Sequence, residues 1–332
     1  MSLSNSIRLL PLLLVFCLLF SVSISIAGPN AVQDTGTDIR WLLDTDNLTI
    51  GGAPVLTREI LLQIYGDNGF QPYWTRPGDI RELLDLIANS PNHGLKPADY
   101  NFSALQELLA RRDTRPGTQL TAQADILLSE SLIRYAYHRR FGKIKARDLD
   151  ADINYRRELF RDQPPARTLQ EIFAAPSLQA FIEMAAPEGP YYHRIQYWLA
   201  SYREIAIDGG WPAVPSGPTL REGGSDPRVA ALRARLAVTG DIPESAATDL
   251  LLFDAVLAAG VRAFQRRHQL QPDGIVGSQN IAALNVPGEY RIDQLRSSLE
   301  RLRWVNQEAA DTLVAVNIAG YMAYFFRDGD LV

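Results

Sequence analysis

Apolar residues recur every three or four positions along much of the chain, which is the spacing of one face of an α-helix. Ile80, Leu83 and Ile87 share such a face, and the same pattern recurs over residues 122–137 and 192–207. Pro- and Gly-rich breaks separate these segments, as is typical of loops. The pattern therefore predicts a mainly α-helical protein.

Two short motifs mark predicted helix starts. Asp79 precedes Glu82 by three residues, and Thr168 precedes Glu171 by the same distance. This is the spacing of a capping box, in which the two side chains bond the first backbone N–H groups of a helix. We therefore expect Asp79 to cap one helix and Thr168 to start another.

The periodicity changes in the last part of the chain. Residues 292–302 keep the helical spacing, whereas residues 313–318 and 321–326 alternate as β-strands do. Asp328-Gly329 follows, and Asp-Gly between apolar runs favours a hairpin turn. A lone hairpin is marginal in water, so we expect a β-rich domain that is cut after its first strands.

A Gly- and Pro-rich segment, residues 209–224, predicts a linker and a domain boundary. Beyond it, Asp226 and Pro227 are the residue types that begin a helix. Apolar residues at helical spacing over 253–264 predict a second helix, and residues 281–284 predict a short third one. This part of the chain therefore reads as a small three-helix domain.

The first 27 residues have the pattern of a secretory signal peptide. Arg8 gives the positive start, residues 9–20 are apolar, and Ser25-Ile26-Ala27 places small residues at a cleavage site. An uncleaved anchor is the alternative, although this apolar core is shorter than the ~20 residues of a membrane span. We expect export to a bacterial periplasm with no membrane contact after cleavage, and a flexible leader over residues 28–40.

Composition narrows the function classes. Apolar residues make up 46% of the chain and charged residues 21%, which is ordinary for a globular protein. The net charge of -5 gives no overall field that attracts nucleic acid, so no nucleic-acid partner is expected. The one cysteine, Cys17, lies in the predicted signal peptide, so we expect neither a disulfide nor a cysteine nucleophile after cleavage.

Residues 261–287, VRAFQRRHQLQPDGIVGSQNIAALNVP, resemble the peptidoglycan-binding module that many cell-wall enzymes carry. The shared features are an apolar helix with Phe-Gln, then Asp-Gly-x-x-Gly, then a short helix that ends in Leu-Asn. Asn280 stands where the module more often has threonine, and we expect it to support the turn. The resemblance covers residues 226–287 and implies peptidoglycan as the partner.

The resemblance implies a shallow groove for a glycan or a stem peptide, framed by the loop and the helix beside it. We expect Phe264 in the core and Gln265, Arg266 and His268 reaching outwards. The structural alternative is that the Asp-Gly-x-x-Gly loop is only a tight turn. The candidate ligand-binding residues are Gln265, Arg266, His268, Asp273, Gly274 and Gly277.

The first half of the chain resembles the helical scaffold domain of large bacterial L,D-transpeptidases. The matching segments come in the family's order, and RLRWV and VAVNIAGYMAYFF near the end resemble the entry into its β-rich catalytic domain. The scaffold-like segments are residues 65–75, 89–100, 140–150 and 209–229. The resemblance implies a scaffold domain over residues 41–222, a peptidoglycan-binding domain over 223–288, and a linker helix with the start of a catalytic domain over 289–332.

In that family, a cysteine in a Ser-x-Gly-Cys segment attacks a peptide carbonyl and a histidine acts as base. Nothing in this sequence matches that segment, so no catalytic residue is assigned. The four histidines are at least 45 residues apart, which is not metal-ligand spacing, and we expect no metal and no cofactor.

The leading hypothesis is a periplasmic peptidoglycan-binding protein that is related to L,D-transpeptidases but catalyses nothing as it stands. One alternative is a fragment of an active cross-linking enzyme whose cysteine domain lies beyond residue 332. The other is a scaffold protein that recruits other cell-wall enzymes as partners.

Overall fold

The structure is a computed structural model that describes residues 34–149, 165–185, 189–243, 249–305, 312–317, 321–327 and 330–332. The predicted signal peptide and the predicted Asp328-Gly329 turn lie outside the described residues. Within them the chain is mainly helical, with a small antiparallel sheet near its end, as the sequence predicts.

The first part of the chain is a helical bundle with one short β-hairpin and two 3₁₀ turns. Its helices are α1 (Thr35–Leu43), α2 (Arg58–Asp67), α3 (Pro77–Ala88), α4 (Phe102–Thr114), α5 (Thr118–Phe141), α6 (Ala146–Leu149), α7 (Pro165–Ala174), α8 (Leu178–Ala185) and α9 (Pro190–Ile207). The hairpin strands are β1 (Thr49–Ile50) and β2 (Ala53–Pro54), and the 3₁₀ turns span Ser90–His93 and Pro97–Tyr100.

The second part contains α10 (Arg228–Val238), α11 (Ala255–Arg267) and α12 (Ser278–Leu284), followed by α13 (Gly288–Val305). The sheet near the end contains β3 (Leu313–Asn317), β4 (Met322–Arg327) and β5 (Asp330–Leu331). β3 pairs antiparallel with β4, with Leu313 opposite Phe326, and β4 pairs antiparallel with β5. The two strands predicted over residues 313–326 are therefore confirmed.

Helix α5 is the centre of the first part, and it buries acidic side chains as well as apolar ones. The Asp125 carboxylate accepts hydrogen bonds from the backbone N–H groups of Tyr73 and Trp74, at 3.0 Å each, and from the Tyr65 hydroxyl at 2.6 Å. Burial raises the pKa of Asp125. Because a buried carboxylate is costly unless it is hydrogen-bonded, these contacts fix the segment between α2 and α3 onto α5.

Glu130, also fully buried on α5, fixes a second segment in the same way. Its carboxylate accepts hydrogen bonds from the backbone N–H groups of Leu56 and Thr57, at 3.1 and 2.9 Å. These residues come directly before α2. The start of α2 is therefore positioned by a side chain from the central helix.

The predicted flexible leader over residues 28–40 is wrong for residues 35–40, which belong to α1. The Asp34 side chain caps this helix by accepting a hydrogen bond from the Thr37 backbone N–H at 2.7 Å. Ile39 and Leu43 are fully buried in the hydrophobic core of the first part of the chain, which we call the first core. The Gly- and Thr-rich composition concealed an apolar helix face that begins at Ile39.

Several predicted helix starts are displaced by a few residues. α3 begins at Pro77, so Asp79 lies in its first turn and bonds Arg76 rather than capping the helix. α7 begins at Pro165, ahead of Thr168. Phe253 precedes α11, and the Asp254 carboxylate caps that helix by accepting from the Leu257 N–H at 2.8 Å. A side chain that bonds backbone N–H groups locally can act outside the helix or within its first turn, and spacing alone does not separate the two.

The predicted linker does not run free between two domains. Val214 and Leu220 are buried in the second core, which is formed mainly by α10, α11 and α12. Leu220 and Val276 exchange both of their backbone hydrogen bonds at 3.0 Å. The Asn285 side chain bonds the backbone N–H and C=O of Val214, at 2.8 and 2.9 Å. By its packing, this segment belongs to the second part of the chain.

Helix α13 returns from the second part to lie antiparallel along α9. At one end the Tyr192 hydroxyl accepts a hydrogen bond from Arg303 at 3.0 Å, and at the other end Tyr202 and Arg291 line the same cavity. Leu199 and Leu299 are fully buried between the two helices. Helices α10, α11 and α12, which we call the three-helix unit, are therefore connected to the first part of the chain both through α9 and through α13.

Candidate functional site

The Asp273-Gly274 loop is organised by one buried side chain, that of Gln265. The Gln265 amide nitrogen lies 2.9 Å from an Asp273 carboxylate oxygen, 3.0 Å from the Ile275 carbonyl oxygen and 3.1 Å from the Asn280 side-chain oxygen. The Gln265 amide oxygen accepts from the Gly274 N–H at 2.9 Å. Gly274 has a φ of +79°, a left-handed conformation that glycine adopts without a Cβ clash.

The prediction that Gln265 reaches outwards is therefore wrong, because its exposed fraction is 0%. Helix α11 packs against α10 and is also bonded to the loop through Gln265, so the adjacent residues Phe264 and Gln265 are both buried. The prediction that Asn280 supports the turn is confirmed by its contact with Gln265. The alternative that the Asp-Gly-x-x-Gly loop is a tight turn therefore explains the positions of Gln265, Asp273 and Gly274.

The remaining predicted residues of the loop region lie at the surface. Asp273 is exposed, and the backbone N–H of Ile275, followed by the Gln265 amide, holds the pKa of its carboxyl below the usual range. Arg266 is exposed on α11, and Gly277 precedes α12 with open space where a β-carbon would stand. The loop thus presents an ionised carboxylate and an open backbone at the surface.

His268 lies apart from the loop, at the C-terminal end of α11. Its ring packs on Phe264, with 4.2 Å between the ring centroids. Burial, followed by the charges of Arg267 and Arg291, lowers the pKa of His268 to about 3. Within the described part of the chain, the buried Nε2 atom of His268 has no hydrogen-bond partner. His268 is therefore a neutral ring with an unused polar atom.

A cavity of about 290 Å³ lies between α9, α11 and α13, and His268 forms part of its wall. Aromatic and cationic side chains dominate the lining, with three smaller polar or apolar ones. The lining residues are Trp198, Tyr202, Arg267, His268, Arg291, Gln294, Leu295 and Ser298. We call this the three-helix cavity. Sequence reasoning missed it because its walls come from three segments that are far apart in the chain.

Arg267 and Arg291 have different surroundings in the three-helix cavity. The Arg267 guanidinium pairs with the Asp241 carboxylate, donates to the Tyr202 hydroxyl at 2.8 Å, and lies 5.5 Å from the centroid of the Trp198 ring. Arg291 donates to the Ala283 carbonyl at 3.1 Å and to the Gln294 side chain at 3.0 Å. Neither of these Arg291 acceptors is charged. The charge of Arg291 is thus not neutralised by its hydrogen bonds.

The described residues contain no group of three His, Cys, Asp or Glu side chains that is close enough to hold a metal ion. Across the same residues, every helix is too short or too polar to cross a membrane.

Comparison with known families identifies two domains. Residues 59–199 match the model of a family described as a scaffold domain. Residues 225–284 match the model of a peptidoglycan binding domain. No curated protein matches the chain significantly. The second match contains the Gln265 loop network and His268, and together the two matches support a cell-wall-related protein with peptidoglycan as its partner.

Proposed function

We propose that this chain is a periplasmic peptidoglycan-binding protein that is related to L,D-transpeptidases. The observation that carries the proposal is the peptidoglycan binding domain over residues 225–284. The domain has a buried core and a loop whose shape is fixed by Gln265. Its ligand is the murein polymer, which combines glycan strands with short peptides.

The relation to L,D-transpeptidases rests on the first part of the chain. The scaffold-domain match runs from within α2 to within α9 and contains three of the four segments that resemble those enzymes, in the same order. No residue of this chain is proposed to catalyse acyl transfer, because its one cysteine is Cys17, in the predicted signal peptide. The proposed role is adhesion to the cell wall.

Co-sedimentation with purified sacculi tests the binding. The mature protein is mixed with sacculi at low salt, and we expect most of it in the pellet and its release by soluble murein fragments. Chitin, a glycan without peptides, is the control polymer. A mature protein that stays in the supernatant with sacculi would refute the proposal.

Fractionation of expressing cells tests the location. We expect the protein in the periplasmic fraction with a new N-terminus at Gly28, which N-terminal sequencing detects. Retention of Arg8 in the exported protein would contradict signal-peptide cleavage and would support the anchor alternative.

A second candidate function is that of a fragment of an active cross-linking enzyme. The β3–β4 hairpin favours it, because it forms where the sequence resembles the entry into the catalytic domain. The reading frame downstream of the codon for Val332 separates the two functions, because a frame that encodes a histidine and a Ser-x-Gly-Cys segment would support the fragment. Incubation of the mature chain with stem peptides tests the absence of catalysis by this chain, which both functions share. We expect no cross-links from this chain.

A further inference from the structure

We propose that the three-helix cavity binds a free carboxylate group on the peptide part of peptidoglycan. This inference rests on the function proposed above and assigns one chemical group of that ligand to one place in the structure. The loop beside α12, which the sequence singled out, is a separate surface.

The charge around the cavity favours an anion. Arg235, Arg267 and Arg291 are close enough for their charges to lower the pKa of His268. Among the described residues, the one carboxylate that hydrogen-bonds any of these three guanidinium groups is Asp241, which pairs with Arg267. Arg235 is fully buried and does not line the cavity. Arg291 has no carboxylate partner among the described residues, and it lies in the cavity wall. A carboxylate placed there gains charge-assisted hydrogen bonds, which are stronger than neutral ones.

Two residues that line the cavity also carry a polar atom that the described residues leave unpaired. The Nε atom of Arg291 and the Nε2 atom of His268 are buried and have no hydrogen-bond partner within the described residues. Buried polar groups are normally hydrogen-bonded, so such atoms indicate a partner that the chain does not supply. A neutral imidazole can carry its proton on Nε2 and donate it to a carboxylate oxygen.

The other residues of the cavity wall and the cavity volume limit the kind of molecule that can carry the bound carboxylate. Trp198, Tyr202 and Leu295 give the cavity an aromatic and apolar side. Its volume of about 290 Å³ is at the lower limit for small-molecule sites. It therefore suits one amino-acid residue with its carboxylate better than a disaccharide, and the glycan would extend outside.

The walls of the cavity come from both family domains and from α13. Trp198 lies within the scaffold match, and His268 lies within the peptidoglycan binding match. Arg291 lies beyond both matches, on the returning helix α13. The three-helix unit alone therefore cannot form the binding site, because the site also needs α9 and α13 packed against each other.

The experiment measures binding of a disaccharide-peptide murein fragment to the whole mature chain by calorimetry. The fragment is used with free carboxylates and with its carboxyls amidated. The test variant is Arg291→Gln, which removes the charge but keeps an amide donor. The matched control is Arg301→Gln, because Arg301 is exposed on the same helix and does not line the three-helix cavity.

We expect the wild type to bind the free-carboxylate fragment at least about tenfold more tightly than the amidated one. Arg291→Gln should lose most of that preference, whereas Arg301→Gln should keep it. A direct readout is the NMR signal of the His268 ring, which should move when the free fragment binds to wild type or to Arg301→Gln. Circular dichroism checks that both variants fold.

Three results would overturn the inference. If Arg291→Gln keeps the preference of the wild type, or if the His268 signal does not move on binding, the cavity is not the site. If Arg291→Gln fails to fold, the His268 signal in the wild type decides alone. A wild type that pellets with sacculi but shows no carboxylate preference refutes only this inference, whereas failure to pellet refutes the proposed function as well.

Discussion

The side-chain amide of Gln265 connects Asp273 to Gly274: it donates to the Asp273 carboxylate and accepts from the Gly274 backbone N–H, both at 2.9 Å. One buried side chain thus contacts two consecutive residues of the turn from the neighbouring helix. The turn that carries the Asp-Gly-x-x-Gly motif is therefore stabilised by α11 and not only by its own glycines.

Gln265→Ala should lower the free energy of unfolding by about 2–4 kcal/mol, since it removes all the hydrogen bonds of this amide and leaves the buried Gly274 N–H without a partner. Urea unfolding followed by circular dichroism measures the change. Gln279→Ala is the control, because Gln279 is exposed on α12, and it should stay within about 0.5 kcal/mol of the wild type. Equal stability of the two variants would contradict the role assigned to Gln265.

Gly260→Ala should destabilise the second part of the chain by about 1–3 kcal/mol, because there is no room for a methyl group. A β-carbon at Gly260 would collide with the Ile242 side chain and would lie 3.0 Å from the Asp241 carbonyl oxygen. The control is Gly66→Ala, in α2, where a β-carbon meets nothing within 4 Å. Since alanine favours helix over glycine, the control should be stabilised by about 0.5–1 kcal/mol. Thermal unfolding that shifts both variants in the same direction would refute this account.

The free energy of unfolding should decrease at acid pH, partly because of the protonation of His93 in the unfolded chain. Its Nε2 atom lies 3.0 Å from an Arg139 guanidinium nitrogen, which can only donate, so the ring is bound as the neutral form. Burial, followed by the charges of Arg139 and Arg303, lowers the pKa of His93 to about 2. The unfolded chain, with an ordinary histidine pKa of about 6.5, therefore takes up a proton that the folded chain excludes.

Above about pH 6.5 His93 is neutral in both the folded and the unfolded chain, so it does not change the free energy of unfolding. As the pH falls from there towards 2, the unfolded chain binds the proton and the free energy of unfolding decreases by up to about 1.4 kcal/mol per pH unit. His93→Gln should be less stable than the wild type at neutral pH but should lose stability less steeply between pH 6 and 4. His193→Gln, at an exposed position, is the control. Unfolding curves at a series of pH values test this, and an unchanged slope for His93→Gln would contradict it.

Asn285→Ala should release residues 211–219 from the second core, because the Asn285 amide bonds both backbone groups of Val214. We expect faster proteolysis in that segment and a loss of about 1–3 kcal/mol in unfolding free energy. Asn92→Ala changes an exposed asparagine in a 3₁₀ turn and serves as the control. Cleavage that is equally slow in both variants would show that the segment is fixed by other contacts.

The sequence was informative where one periodic pattern decides the structure. Ile80, Leu83 and Ile87 predict α3 because one helix face packs on one core, and strand alternation predicts β3 and β4. Asn280 was also placed correctly, since turn chemistry is local. These features depend on residues that are close together in the chain.

The sequence was misleading where distant contacts decide the structure. Gln265 is buried because the loop packs on it from outside α11, which helical spacing alone does not reveal. Val214 and Leu220 lie in a Gly- and Pro-rich segment, yet Asn285 and Val276 bind them to the second core. The three-helix cavity needs α9, α11 and α13 together, so no motif within one segment indicates it.

The antiparallel pairing of α9 and α13 has a mechanical consequence for a protein with a peptidoglycan binding domain. The chain enters the three-helix unit at the end of α9 and leaves it at the start of α13, and these two ends lie side by side. A pull on the unit is then shared between the covalent connection to α9 and the non-covalent packing of α13 on α9. Neither connecting loop has to bear the whole load, so a moving cell wall would displace the bundle and the unit together.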